Sequence, residues 1–105
     1  MNMTTRHADQ LAALGSESRL EIVRLLLRAL PGELSVTEIG AATGIPGSTL
    51  SHHLDRLRRE GLVTSRREGK FIYYRAGITA IEALISFLYR DCCGGRDRLS
   101  LCDFA

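Results

Sequence analysis

The chain has 105 residues, of which 45% are hydrophobic and 25% charged, and its formal net charge is +2. This composition is typical of a soluble globular protein, and no apolar run approaches the roughly 20 residues that a membrane-spanning helix requires. The N-terminal residues also lack the apolar stretch of a secretory signal peptide. We therefore expect one cytoplasmic domain over residues 1–105, with no membrane partner and with reduced cysteines.

Helical spacing of apolar residues predicts three helices in the first half of the chain. The first covers residues 5–14 and the second residues 16–29. A third, short helix begins at Ser35, because Glu38 stands three residues later in the pattern of a capping box. Gly44 is the predicted end of this helix.

The second half of the chain predicts a fourth helix, a hairpin and a last helix. Residues 47–60 form a helix with a stripe of leucines, and residues 62–66 and 71–75 are two short strands joined by a glycine-containing turn. Residues 78–91 form a helix whose apolar face is broader than one small core can cover, which favours dimerisation. The predicted fold is mainly α with a β-hairpin.

The order of short helix, turn, second helix and basic hairpin is that of a winged helix-turn-helix. Charge supports a nucleic-acid partner, since residues 48–75 carry seven basic and three acidic side chains, whereas the rest of the chain carries seven basic and nine acidic ones. A basic segment in an acidic surrounding points to a polyanion contact on one face. The alternative interpretation is that these basic side chains only form the solvated face of a helix.

The candidate DNA contacts lie on the fourth helix and the hairpin. An advance of about 100° per residue places small hydroxyl and imidazole side chains opposite the leucine stripe, near a helix start that favours phosphate. Arginine on a later turn and at the tip of the hairpin suits the DNA backbone or the minor groove. We predict DNA contacts for Ser48, Thr49, Ser51, His52, Arg56, Arg67 and Lys70.

One serine and two histidines have simpler interpretations than binding DNA or a metal ion. Ser48 can act as a helix cap instead of, or together with, a DNA contact. His53 lies at the edge of the leucine stripe and is predicted to be packed and hydrogen-bonded, because adjacent histidines on a helix cannot chelate one ion together. His7 stands alone and is predicted to lie at the surface.

Two stretches of this sequence resemble the ArsR/SmtB family of bacterial metal-responsive repressors. Residues 48–76, STLSHHLDRLRREGLVTSRREGKFIYYRA, resemble the recognition helix and wing of that family, and residues 13–27, ALGSESRLEIVRLLL, resemble its second helix. The resemblance covers about residues 8–91. It implies a homodimeric winged helix that represses transcription from a palindromic operator and is released by an inducer.

The usual inducer sites of that family are missing from this sequence. Many members carry a cysteine pair before the recognition helix, but residues 35–40 contain no cysteine. Others bind zinc through the last helix with histidines and carboxylates, but residues 78–91 contain no histidine. Neither site can be transferred to this chain.

All three cysteines, Cys92, Cys93 and Cys102, lie in the tail of residues 92–105. Three thiolates select soft ions, and structural zinc normally requires a fourth protein ligand, whereas trivalent arsenic or antimony is satisfied by three sulfurs. The cluster also resembles the C-terminal site of some arsenite-responsive family members. We predict that arsenite or antimonite is the inducer, with no obligatory cofactor, bound by thiols of one chain or of both.

Other interpretations of the cysteines remain open. Gly94-Gly95 allows Cys92 or Cys93 to form a disulfide or polysulfide bridge with Cys102, which would make the protein a thiol-redox sensor. The cysteines could also belong to an exposed tail without function. A thiol-dependent enzyme is disfavoured, because this chain has neither a Cys-X-X-Cys motif nor a cysteine at a predicted helix N-terminus.

Overall fold

The structure is a computed structural model that describes residues 3–90. Within this range the chain forms five helices and a small sheet: α1 (Met3–Leu14), α2 (Glu17–Ala29), β1 (Leu34–Ser35), α3 (Val36–Thr43), α4 (Gly47–Arg59), β2 (Val63–Glu68), β3 (Phe71–Ala76) and α5 (Ile78–Tyr89). The predicted mainly α, winged helix-turn-helix fold is confirmed. None of the helices described is long and apolar enough to cross a membrane.

The tail lies outside the described residues. Cys92, Cys93 and Cys102 belong to the tail, and Met1 and Asn2 at the other end of the chain also lie outside the described residues. The assignment of residues 1–105 to one domain therefore stays a prediction.

The ends of α2, α3 and α4 follow from local side-chain and backbone chemistry. The predicted capping box of α3 is confirmed, since Ser35 N donates to Glu38 Oε1 at 2.8 Å and Glu38 N donates to Ser35 Oγ at 3.1 Å. Gly44 ends α3 with a left-handed φ of 74°. Ser16 caps α2 rather than forming its first turn, because its side chain accepts a hydrogen bond from Arg19 N.

Helix α4 ends in a Schellman turn. Gly61 N donates to Arg58 O and Leu62 N donates to Leu57 O, each at 3.0 Å, while Gly61 takes a φ of 76°. These bonds satisfy carbonyls that the helix itself leaves unpaired. The chain then enters β2 at a fixed angle, which determines where the wing lies relative to α4.

The three strands form an antiparallel sheet in the order β1-β3-β2. The wing strands are longer than predicted: Arg67 pairs with Ile72 and Glu68 with Phe71, so the turn between them is only Gly69-Lys70. Gly69 accommodates this tight turn with a φ of 62°. Strand β1 was not predicted, because two residues show no periodicity and this strand exists only through its pairing with β3.

The core fixes the rotation of α4 about its own axis. Leu50, Leu54 and Leu57 are buried in one cluster that also contains Ile22 and Leu26 of α2. Burial of a leucine side chain is worth about 1.5–3 kcal/mol, so three of them on one stripe strongly favour this rotation. The opposite face of α4 is consequently held toward solvent.

The outer helices retain exposed apolar surface in the single chain. Ile81 and Leu84 of α5 are buried, whereas Leu88 is 60% exposed and Met3 of α1 is 53% exposed. Leu11 and Ile78 are also exposed. Apolar side chains left on the two terminal helices agree with the expectation that one chain does not cover the last helix by itself.

Candidate nucleic-acid interface

The predicted reading face of α4 is at the surface. Ser48, Thr49, Ser51 and His52 are all exposed, opposite the buried leucines. Ser48, Ser51 and His52 share one shallow depression with Asp55. This placement makes small donors and acceptors available to base edges in a major groove, and the DNA contacts themselves stay a prediction.

The alternative role of Ser48 as a helix cap is wrong. The N-cap of α4 is Pro46, and no side chain forms a capping hydrogen bond at this terminus. Ser48 lies inside the first turn because proline, with its fixed φ of −60°, already turns the chain into the helix one residue before Gly47. The uncapped backbone amides of this turn suit a DNA phosphate.

The arginines at the end of α4 share the carboxylate of Asp55. Arg58 Nη2 lies 2.8 Å from Asp55 Oδ1, and Arg59 Nε lies 3.2 Å from Asp55 Oδ2. The hydrogen bond from Arg58, helped by the charges of Arg59, Arg58 and His52, holds the pKa of Asp55 below its ordinary value. Asp55 therefore stays ionised and offsets basic charge close to the reading face.

Arg56 is less accessible than the sequence suggests. Its side chain is partly buried, and its Nε atom is buried with no hydrogen-bond partner among residues 3–90. Only the terminal nitrogens of the guanidinium can therefore approach a DNA phosphate. The DNA contact of Arg56 stays a prediction, and it is now limited to a contact through these terminal nitrogens.

The wing presents Arg67 and Lys70 at its exposed tip. Arg67 Nε donates to the carbonyl oxygen of Gly69 at 3.2 Å, so this arginine braces the turn. Lys70 forms no ion pair with any residue that the structure describes. The charge of Lys70 is therefore available for phosphate.

Arg66 anchors the wing instead of extending it toward DNA. Its guanidinium lies 2.8 Å from Glu33 and 2.5 Å from Glu68, and it stacks over the ring of Tyr73 at 5.0 Å. These contacts raise the pKa of Arg66 and lower that of Glu33, with the hydrogen bond between them as the main cause. Glu33 precedes β1, so the pair ties the wing to the body of the protein.

His53 is packed and hydrogen-bonded, as predicted. Its Nδ1 lies 3.2 Å from Arg19 Nη1, and Arg19 Nε donates to the carbonyl oxygen of Ala13 at 2.6 Å. Because arginine only donates, His53 Nδ1 must accept and the ring is neutral. Burial, followed by the charges of Arg19 and His52, lowers the pKa of His53. Arg19 thus connects α4 to the corner between α1 and α2.

This contact predicts an acid-sensitive component of stability at His53. Since its folded pKa is lowered, unfolded chains bind a proton first, and the free energy of unfolding should fall as pH drops from 6.5 through the folded pKa. His53→Asn keeps an acceptor near the Nδ1 position and cannot titrate, so it should remove this component. Denaturant unfolding of both proteins from pH 7.5 down to about pH 5 measures it. Parallel curves for the two proteins would contradict the assignment.

The predicted surface position of His7 is wrong. His7 is only 5% exposed, its Nδ1 lies 2.8 Å from Gln10 Oε1, and its ring centroid lies 4.5 Å from that of Phe87. An isolated histidine in a sequence gives no sign of such partners, because Phe87 is contributed by the far end of the chain. A helical stripe of His7, Gln10 and Ala13 at the spacing of one helix face was the available signal.

Residues 3–90 hold no group of three histidine, cysteine, aspartate or glutamate side chains placed to bind a metal ion. The predicted thiol site is not part of that range, so the structure does not test it.

Comparisons with known proteins agree with this geometry. The family model of bacterial regulatory proteins of the arsR family matches residues 16–65. The transcriptional activator HlyU of Vibrio cholerae is 40% identical over 83 residues, which cover 79% of this chain and 74% of HlyU. A putative arsenical resistance operon repressor, ArsR2 of Halobacterium salinarum, is 39% identical over 74% of this chain and 64% of its own length.

A solved structure extends the likeness to the whole fold. The homodimeric winged helix-turn-helix DNA-binding domain Mb0332 of Mycobacterium bovis has a TM-score of 0.67 and 32% sequence identity, with coverage of 93% of this chain and 91% of that chain. The family match covers α4 and the first residues of β2, and the match to the solved structure extends over most of the chain. The chain therefore belongs to the arsR family of bacterial transcription regulators.

Proposed function

We propose that this protein is a homodimeric repressor that leaves its operator when trivalent arsenic or antimony binds Cys92, Cys93 and Cys102. The observation that carries the proposal is the division of the chain. Residues 3–90 form a DNA-reading body without a cluster of metal ligands, and all three thiols follow α5. The reading function and the sensing function thus belong to separate segments.

The exposed apolar side chains of α1 and α5 support the dimer. Leu88 and Met3 are each more than half exposed, which is unfavourable in water unless a second copy covers them. The homodimeric neighbour from Mycobacterium bovis supports the same arrangement. A two-fold dimer of winged helices places its two α4 helices about one DNA turn, roughly 34 Å, apart, so the operator is a palindrome.

The thiol chemistry supports arsenite or antimonite over zinc. Three sulfurs complete the coordination of trivalent arsenic, whereas zinc would still need a fourth ligand from the tail. The relative ArsR2 is named for an arsenical resistance operon, and HlyU is named as an activator. We propose repression here because a ligand that releases the protein from DNA then turns resistance genes on.

Release requires that the ligand prefer the dimer that binds DNA poorly. Drawing Cys102 back toward Cys92 and Cys93 would constrain the chain where it leaves α5, a terminal helix of the proposed dimer. If that closure costs more in the DNA-bound dimer, operator affinity falls by the same coupling free energy. A coupling of about 1–3 kcal/mol corresponds to a roughly 5- to 150-fold loss of affinity.

Operator binding with and without arsenite tests this proposal. A binding sequence is selected from random DNA with the reduced protein, and affinity is measured by fluorescence anisotropy. We expect arsenite and antimonite to weaken binding about 5- to 150-fold, and zinc or cadmium to act less. Cys102→Ser should bind the operator normally and resist release, because two thiols leave the ion incompletely bound.

The control is Ser100→Ala, a change in the same tail that removes no thiol. It should respond to arsenite like the wild type. Release of Cys102→Ser at wild-type arsenite concentrations would contradict a three-thiol site. Failure of arsenite and antimonite to release the wild type would contradict the inducer.

A thiol-redox sensor is the second candidate, favoured by the two glycines that begin the eight-residue segment between Cys93 and Cys102. In this case hydrogen peroxide takes two electrons and two protons from two thiols, which join as a disulfide while the peroxide becomes two waters. An inorganic polysulfide instead oxidises the two thiols, leaves part of its sulfur as a bridge between them and departs as two molecules of hydrogen sulfide. Oxidant would then release the operator, dithiothreitol would restore binding, and peptide mass spectrometry would locate the disulfide or polysulfide. Arsenite would be without effect on operator binding.

A further inference from the structure

The turn that ends the recognition helix is held by both terminal helices. Gln10 of α1 donates from Nε2 to the carbonyl oxygen of Glu60 at 3.0 Å. Gly77, directly before α5, donates its backbone N–H to the carbonyl oxygen of Leu62 at 2.9 Å. Residues 60–62, which we call the exit turn, therefore contact α1 on one side and the start of α5 on the other.

Gln10 occupies a position where its amide has one possible orientation. The side chain is 1% exposed, and the Glu60 carbonyl can only accept, so Nε2 must face it. Oε1 then faces His7 Nδ1 at 2.8 Å, and this nitrogen must carry the proton. The bond from Gln10 satisfies a carbonyl at the end of α4 that has no partner within the helix.

His7 extends this contact to the far end of α5. Its ring packs against Phe87 with centroids 4.5 Å apart and planes inclined by 34°. Phe87 lies in the last turn of α5, and Cys92 follows it by five residues. A continuous set of contacts thus runs from Phe87 through His7 and Gln10 to the carbonyl oxygen of Glu60.

Helix α5 is attached near both of its ends, at Gly77 and at Phe87, and a movement at one end need not displace the other. At its start, α5 is tied to the exit turn through Gly77. Phe87 lies ten residues further on, about 15 Å along a helix. A sideways displacement of the C-terminal end of α5 therefore moves Phe87 against His7 while the start of the helix stays in place.

We propose that Gln10 and His7 are positioning residues that transmit the placement of α5 to the end of the recognition helix. The inference rests on the proposed function only for the identity of the ligand that displaces α5. The bonding of a buried amide makes the transmission discrete, because Gln10 either donates to Glu60 or leaves two buried polar groups unpaired.

A double-mutant cycle on operator affinity tests the proposal without arsenite. Gln10→Met removes the donor at similar volume, and Phe87→Leu removes the ring that contacts His7. We expect each change to weaken operator binding about tenfold, and the double variant to bind no more weakly than the poorer single one. Asp9→Asn, an exposed change on the same helix, should have no effect in any background.

Backbone hydrogen exchange of the exit turn supplies a measurement that needs neither DNA nor ligand. Phe87→Leu should speed exchange at Gly61 and Leu62 in the wild-type background and not further in Gln10→Met. Thermal unfolding and sedimentation of each variant separate this effect from loss of fold or dimer. If Gln10→Met does not fold, His7→Phe takes its place, since it keeps a ring against Phe87 and loses the bond to Gln10.

Independent effects would overturn the proposal. These are operator affinities whose losses multiply in the double variant, or exit-turn exchange that Phe87→Leu leaves unchanged. If the proposed inducer is wrong but this inference is right, the result is different. Arsenite then does not release the wild type from the operator, while the double-mutant cycle still shows coupling between Gln10 and Phe87. If arsenite is the ligand, Gln10→Met should bind it normally and show a smaller loss of operator affinity than the wild type.

Discussion

Gly77→Ala is expected to lower the free energy of unfolding by about 3 kcal/mol. A Cβ atom at this position would overlap the carbonyl oxygen of Gly61 and lie 3.1 Å from the carbonyl carbon of Leu62. Both neighbours are backbone atoms of the exit turn, which is fixed by the Schellman hydrogen bonds, so neither can move aside cheaply. Urea unfolding of the purified protein, at fixed concentration because a dimer is expected, measures the change.

Gly47→Ala is the matched control for this prediction. Gly47 is the first residue of α4, and a Cβ there would meet no atom within 4 Å. Alanine costs less backbone entropy than glycine in a helix, so this change should leave stability unchanged or raise it by up to about 1 kcal/mol. Equal stability of Gly77→Ala and the wild type would show that the exit turn and α5 are not packed as closely as the structure has them.

Features set by neighbouring residues were predictable from the sequence. The capping box at Ser35, the end of α3 at Gly44 and the leucine stripe of α4 each depend on residues within a few positions of one another. Their physical causes, unpaired backbone groups and a helical repeat of apolar side chains, are written locally in the chain. The exposed reading face followed directly from the buried stripe opposite it.

Features that depend on distant residues were not predictable in this way. The environment of His7 requires Phe87, and the wing anchor joins Arg66 to Glu33 across 33 positions. Strand β1 likewise exists only because β3 lies beside it. A single sequence does not state which distant groups meet, so His7 was assigned to the surface and β1 was not expected at all.

The sequence predicted correctly that residues 48–75 are basic, but a count of charges overestimates how much of that positive charge is available to DNA. Residues 48–75 are indeed a basic segment, but Arg58, Arg59 and Arg66 each have a carboxylate partner in the folded chain. We therefore expect Lys70 and the reading face of α4 to contribute more to DNA recognition than a count of basic residues indicates. This division between paired and available groups decides which substitution should affect DNA binding most.

His52→Ala is expected to weaken operator binding by about 1–3 kcal/mol and to relax the preference for one base pair of each half-site. His52 is exposed at the reading face of α4, where its imidazole can donate to or accept from a base edge. Fluorescence anisotropy with the selected operator and with single base-pair variants measures both effects. The free energy of unfolding should not change, because the side chain contributes nothing to the core.

Lys70→Ala provides the contrast that separates base reading from backbone contact. It should weaken binding to all DNA sequences alike and reduce the slope of log affinity against log salt by about 1, since it removes one phosphate contact. Arg28→Ala, which removes an exposed charge of α2, should leave that slope unchanged. If His52→Ala instead weakened every sequence equally and changed the slope as Lys70→Ala does, His52 would be a phosphate contact, and sequence recognition would have to come from Ser48, Thr49 and Ser51.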